Sequence, residues 1–208
     1  MFKNRQTFIA TILVSLFGVT LFYIGTDGFT AYTAETARVN QLMEEKPLFP
    51  KVTLEDTEGR VYSFTEFKDK YVFITFIYTA CTTVCPRLEM NMAQVYESLP
   101  DEHLGEDIIF LSISFDPTRD SPTVLNKYKD YFNSDGETWR MARIPNQKEL
   151  DLLLEAFGVI VIPDGYGNFA HNSAFYLVGK NGRLAEIMDY TNIEEATKKI
   201  ESMLKEEE

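Results

Sequence analysis

Read for its alternation of apolar and polar positions, the chain opens on a segment unlike the rest. Phe8 to Ile24, FIATILVSLFGVTLFYI, is seventeen residues without a charge. With Gly25 and Thr26 it approaches the ~20 residues a helix needs to cross a bilayer core. Lys3 and Arg5 precede it and Asp27 is the first acid after it. The positive-inside rule then keeps the N-terminus in the cytoplasm and exports everything beyond residue 26. Two other readings compete with an uncleaved anchor. A cleaved signal peptide wants small residues in an A-x-A-like pattern, for which FTAYTAETA offers imperfect matches around residues 31–36; a buried core helix is the third. A lipid-modified cysteine anchor is excluded, because no cysteine lies near the segment. Residues 27–46 read as a polar spacer with some helical character, and a compact domain is expected over 47–208.

Within that domain the pattern changes period repeatedly. VTLEDTEGRVYSF alternates and turns at Glu58-Gly59, which predicts a small hairpin. KYVFITFIY (70–78) is a continuous β-branched and aromatic run, as a strand buried on both faces requires. Leu88, Met92, Val95 and Leu99 follow at helical spacing, with Pro86 suited to a first turn. DIIFLSISF (107–115) predicts a second buried strand. The next helix starts with Ser121 as N-cap and Pro122 at its first position. Another spans roughly 147–157 and stops near Gly158. SAFYLVGKNGRLAEIMDY predicts a hairpin turning at Lys180-Asn181-Gly182. Ile193, Ala196, Ile200 and Leu204 mark a closing amphipathic helix. Strand, helix, strand, helix, then a hairpin and a helix describes an α/β sandwich on a mixed sheet, the thioredoxin-like arrangement.

Charge narrows the partners. The 208 residues carry a net charge of −12, and the first 40 carry +1, so residues 41–208 carry −13. Phosphate backbones and anionic lipid headgroups would repel such a body, which argues against nucleic-acid binding. The chain has two cysteines and two histidines, so thiol and imidazole chemistry must draw on these four side chains. A structural zinc site made of cysteines alone is excluded within one chain.

Cys81 and Cys85 fall in the loop between the first central strand and its helix, where open α/β sheets place their ligands. A helix N-terminus offers unpaired N–H groups and the positive end of the dipole, both of which favour thiolate. Three residues separate the pair, one more than in a thioredoxin motif. Pro86 biases Cys85 away from helical geometry, so the two sulfurs are not expected on one helical face. They can close a disulfide or hold two corners of a metal site. A structural disulfide is the bland alternative, although so short a loop removes little unfolded-chain entropy. His171 lies in GYGNFAHNSAFYLV, at the mouth of the late hairpin's first strand. In a thioredoxin-like sandwich this segment faces the cysteine loop, and oxidoreductases of that type usually carry a cis-proline there. No proline lies between residues 164 and 178; an imidazole is on offer instead. Two thiolates and one imidazole suit copper, Cu(I) especially. Zinc would need a fourth ligand from water or a carboxylate.

These residues resemble the Sco/SenC family of membrane-anchored copper proteins that help assemble the copper A centre of cytochrome c oxidase. The likeness covers about residues 47–205 and is carried by YTACTTVCP, by SISFDPTRDSP and by His171 followed by SAFYLV two residues on. It implies one copper per domain, bound by Cys81, Cys85 and His171. It also implies that FDPTRDSP packs close to the site, with Asp116 as a second-layer residue; a turn-forming Asp before Pro117 is the equal alternative. The family usually has a proline directly after the first cysteine, where this chain has Thr82, which bears on loop stiffness rather than on the ligands. His103, beside Asp101 and Glu102, reads as a solvated loop residue. The implied function is that of a metallochaperone rather than an enzyme. It would serve oxidase subunit II from the extracytoplasmic side of a bacterial membrane, with a second copper carrier or a thioredoxin-like reductant as a further partner. The runner-up is a dithiol reductant or redox sensor: Cys81 and Cys85 would keep the oxidase cysteines reduced by attack and resolution, and His171 would be dispensable. A peroxiredoxin fits less well, because aligning Thr82 and Cys85 with its motif puts Tyr78 where the proline should be.

Overall fold

The computed structural model describes residues 2–26, 28 and 33–205, and the chain falls into two compact units, residues 1–45 and 46–208. The first contains helices α1 (Phe2–Gly25) and α2 (Ala34–Glu45). Arg5–Gly25 has a mean hydropathy of 2.2 and none of it is buried. Among the described residues it is the helix long and apolar enough to cross a membrane. The cleavage candidates around 31–36 lie partly outside the described residues, as do the last three residues of the terminal KEEE run.

The second unit is built on a seven-stranded mixed sheet in the order β2-β1-β5-β4-β3-β8-β9. Its central members are β3 (Tyr71–Ile77), β4 (Ile108–Ser114) and β5 (Trp139–Arg143), mutually parallel. Every residue of β3 and β4 is buried, as runs dominated by β-branched and aromatic residues allow; the three hydroxyl residues among them, Thr75, Ser112 and Ser114, are buried with hydrogen-bond partners. β8 (Phe175–Val178) lies antiparallel to β3 and pairs in turn with β9 (Leu184–Met188). The turn between them places Gly182 at φ 74°, a conformation glycine adopts without Cβ strain. On the other side, β1 (Thr53–Asp56) joins β5 and carries β2 (Val61–Ser63) at the edge. The helices are α3 (Val84–Ser98), α4 (Pro122–Lys129), α5 (Gln147–Ala156) and α6 (Ile193–Lys205), and α3 packs against α6. Ser121 caps α4 by accepting the Val124 N–H, with Pro122 at the first position. This unit is the thioredoxin-like α/β sandwich.

Two elements depart from the sequence pattern. β5 was not evident, because WRMAR carries two arginines where a buried strand should be apolar. The structure accommodates them at the flanks: Arg143 pairs with Glu55 of β1, and the Arg140 guanidinium lies over Tyr62 and Phe67. A separate two-stranded ribbon, β6 (Val161–Pro163) with β7 (Phe169–His171), stands outside the main sheet. It is too short for alternation to announce it.

Helical spacing gives no reason to bury Glu89, yet it is fully buried on α3, one turn beyond Cys85. Its carboxyl accepts from Thr75 Oγ1 at 2.6 Å and Ser112 Oγ at 2.7 Å. Burial nevertheless raises its pKa from 4.5 to about 7, because two hydroxyl donors replace water incompletely. A carboxyl with a raised folded-state pKa stabilises the fold when protonated and costs stability as pH rises between the unfolded and folded values. We expect stability to fall between about pH 4.5 and pH 8 by an amount on the order of 3 kcal/mol that Glu89→Gln does not lose. Urea unfolding of both proteins across that range checks this, and parallel stability curves would refute it.

Candidate metal centre

The loop from Tyr78 to Thr83 links the end of β3 to α3. Cys81 lies in the loop, whereas Cys85 lies in the first turn of α3. The expectation that Pro86 would hold Cys85 out of helical geometry is therefore corrected. Within a first turn the missing proline N–H would be unpaired anyway, so the helix starts at Val84 and accepts it. The sulfurs still do not share one helical face, because Cys81 precedes the helix. Both thiols are free and buried.

His171 is the last residue of β7. Its Nε2 lies 3.4 Å from Cys85 Sγ. The two sulfurs and a ring nitrogen of His171 all fall within 4.8 Å of one another. Nδ1 is 3.0 Å from the Asn172 carbonyl oxygen. That acceptor assigns the proton to Nδ1 and leaves the Nε2 lone pair aimed at the sulfurs, the tautomer a metal ligand needs. The ring is walled by Phe115 at 5.0 Å and Tyr78 at 6.2 Å between centroids. Burial in these surroundings lowers the His171 pKa, against the raising effect of the Asn172 carbonyl.

The two thiols are unequal. Burial acts to raise the Cys81 pKa, but N–H groups of Cys85 and Thr83 donate to its sulfur and bring the net value below the ordinary one. The Cys85 N–H is 3.3 Å from that sulfur, which is the helix N-terminus acting through a specific donor. Cys85 moves the other way, its thiol pushed up by burial and by the neighbouring Cys81. Two soft sulfurs and one neutral imidazole nitrogen, gathered at the mouth of the sheet, fit a thiophilic metal such as copper.

FDPTRDSP lies beside the site, but its two aspartates divide the work differently from the sequence reading. Asp116 accepts from Thr118 Oγ1 at 2.9 Å and pairs with Arg119 Nε. Its backbone carbonyl accepts the N–H groups of Arg119 and Asp120. It thus forms the expected turn and faces Arg119. Asp120, which local pattern does not single out, is fully buried and fastens the cysteine loop. It accepts the Thr79 N–H at 3.0 Å, Thr79 Oγ1 at 2.5 Å and Ser114 Oγ at 2.5 Å. Nothing in the sequence marks Asp120 for this role, since Asp116 before Pro117 is the aspartate that local turn chemistry picks out. His103 is not the solvated residue expected: Nδ1 lies 2.8 Å from Asp107 Oδ2 and its side chain is mostly covered.

Comparison with known proteins bears on this arrangement. Residues 40–205 match the model of the SCO1/SenC family. A SCO1 protein homolog from Bacillus subtilis is 30% identical over 144 residues, covering 68% of this chain and 72% of that protein. The structure of Bradyrhizobium japonicum ScoI with copper bound superposes with a TM-score of 0.62 at 22% identity, over 74% of this chain and 98% of that one. BsSco, a member of the Sco family of cytochrome c oxidase assembly proteins whose structure identified a disulfide switch, superposes with a TM-score of 0.66 at 24% identity, over 76% and 93%. The chain belongs to the SCO1/SenC family.

Proposed function

We propose that this SCO1/SenC protein is a membrane-anchored copper chaperone that carries one copper on Cys81, Cys85 and His171 and delivers it to the copper A centre of cytochrome c oxidase subunit II. The observation that carries the reading is the approach of His171 Nε2 to Cys85 Sγ, 3.4 Å across 86 residues of sequence. A dithiol alone has no need of that imidazole. Copper is here the cargo, and the ligand set supports a soft ion held at low coordination number. Cys81, with its lowered pKa, gives up its proton first; Cys85 must lose its proton as the metal enters, so binding is expected to release protons. The acidic domain suits a cationic cargo. The test is a copper titration of reduced full-length protein in detergent, which should saturate at one ion. In cells, deletion should leave an oxidase deficient in its copper A centre. Failure to bind copper, or an oxidase with a normal centre at low copper, would refute the reading.

The inequality of the thiols favours a second reading. A Cys81 thiolate backed by a buried Cys85 thiol is the arrangement of a nucleophile with its resolving partner, so dithiol reduction of the oxidase cysteines is the competing role.

The proposed location is the extracytoplasmic face of a bacterial membrane, residues 1–26 forming the cytoplasmic tip and anchor, 27–46 the spacer and 47–208 the copper-binding domain. The uncharged span and the lysine and arginine ahead of it support this. The intact mass of membrane-extracted protein should correspond to the uncleaved chain. A mature N-terminus near residue 30 would sink the anchor and leave export standing.

A further inference from the structure

His171 reaches the cysteines on a ribbon that the main sheet does not hold. Among the described residues, β6 and β7 pair only with each other in three registered positions, Val161 with His171, Ile162 with Ala170 and Pro163 with Phe169. The turn between them is held internally by Asp164, whose carboxylate accepts the Tyr166 and Asn168 N–H groups at 2.7 and 2.9 Å. What sets the ribbon's distance from the cysteine loop must therefore come from outside it. Tyr78, the first residue after β3, provides one attachment: its hydroxyl lies 3.3 Å from the Phe169 N and 3.4 Å from the Phe169 O. Arg119 provides a second. From the loop after β4, its Nη1 donates to the Gly167 carbonyl at 2.5 Å. Its guanidinium lies 5.7 Å from the Tyr78 ring centre and 5.4 Å from that of Phe169. Nε is held from behind by the buried carboxylate of Asp116.

One planar cation thus meets a carboxylate of the main body, a carbonyl of the ribbon and one aromatic face from each. We propose that Arg119 is a positioning residue, a latch that holds the β6–β7 ribbon over the cysteine loop and so sets His171 within bonding reach of the two sulfurs. This rests on the reading of Cys81, Cys85 and His171 as a copper site. The latch reaches His171 through Phe169, two residues away on β7, so releasing it frees the imidazole while leaving both thiols in place. It also gives Asp116 its part: the carboxylate orients Arg119. Lysine cannot substitute fully, because an ammonium has no flat face to lay against the rings and no rigid fork to serve two acceptors at once.

The test compares wild type, Arg119→Ala and Arg119→Lys as full-length proteins in detergent. In the absence of metal, amide hydrogen exchange across residues 160–171 should quicken about tenfold in Arg119→Ala, the effect of losing one charge-assisted contact. It should recover only in part with Lys. Exchange in β3 and β8 should stay as in wild type, which shows that the fold is intact. With Cu(II) alone as probe, Arg119→Ala should weaken binding by about tenfold. In a His171→Ala background the same change should cost nothing further, because the latch acts only through that histidine. Unchanged exchange in the ribbon, or equal copper losses in both backgrounds, would overturn the latch. A wild-type protein that binds no copper would instead overturn the metal-site reading, and the exchange measurement would still judge the latch.

Discussion

Oxidation of Cys81 and Cys85 to a disulfide is expected to weaken Cu(I) binding by at least about 1,000-fold, a loss of ~4 kcal/mol. Both thiols are free, and their sulfurs lie within 4.8 Å of one another. Closing the bond to ~2 Å therefore calls for local adjustment of the cysteine loop rather than a rearrangement of the sheet. The pair gives two electrons and two protons to the oxidant and keeps neither thiolate for a metal. His171 alone remains, and one imidazole does not hold Cu(I) against competing thiols. Metal loading and redox state are therefore coupled. Attack should begin at Cys81, whose pKa is lowered by the N–H groups of Cys85 and Thr83 despite its burial. The measurement is competition with a Cu(I) chelator for reduced protein and for protein oxidised by excess glutathione disulfide. Equal affinities would refute the coupling.

His171→Ala separates the two functional readings. The variant should lose Cu(II) affinity by roughly 100-fold or more, ~2.7 kcal/mol, since Cu(II) favours nitrogen ligands and a higher coordination number. Cu(I) should survive better, held between two thiolates. Disulfide reduction by the variant should persist, because Cys81 keeps its backbone donors, none of which involves the imidazole. The Cys85 thiol loses only its contact with Nε2. In cells, copper delivery predicts an oxidase short of its copper A centre and partly restored by added copper. Dithiol reduction predicts normal assembly. His171→Ala cells that assemble the oxidase normally at low copper would remove metal delivery and leave the dithiol.

Much of the fold was legible because its central elements obey simple periods. β3 and β4 are buried on both faces, so they are runs dominated by apolar and β-branched residues rather than alternating ones. The start of α4 was legible because Ser-Pro satisfies two local requirements at once, a side-chain acceptor for an unpaired N–H and a preset φ. β5 was not, because its arginines are made tolerable by Glu55, Tyr62 and Phe67, which lie far away in the chain. Glu89 was hidden for a related reason: the hydroxyls that receive it belong to two different strands.

The sequence by itself determined the types of donor available and where two of them lie. Only two cysteines exist, five positions inclusive, at the start of a helix. It also drew attention to His171 and to the turn at Asp116. What it could not determine is distance. Whether His171 meets the sulfurs depends on where a three-residue strand outside the main sheet is held. That depends on contacts from separate parts of the chain, among them Tyr78 and Arg119 on Phe169 and Gly167 and the Phe115 ring against His171. The division between Asp116 and Asp120 was likewise left to the tertiary structure. Turn chemistry before Pro117 points to Asp116, but only packing buries Asp120 beneath Thr79 and Ser114 while turning Asp116 toward an arginine. Local pattern reports what a backbone segment can form alone, whereas a metal site is a set of distances between segments, and those follow from which side chains the fold leaves in contact.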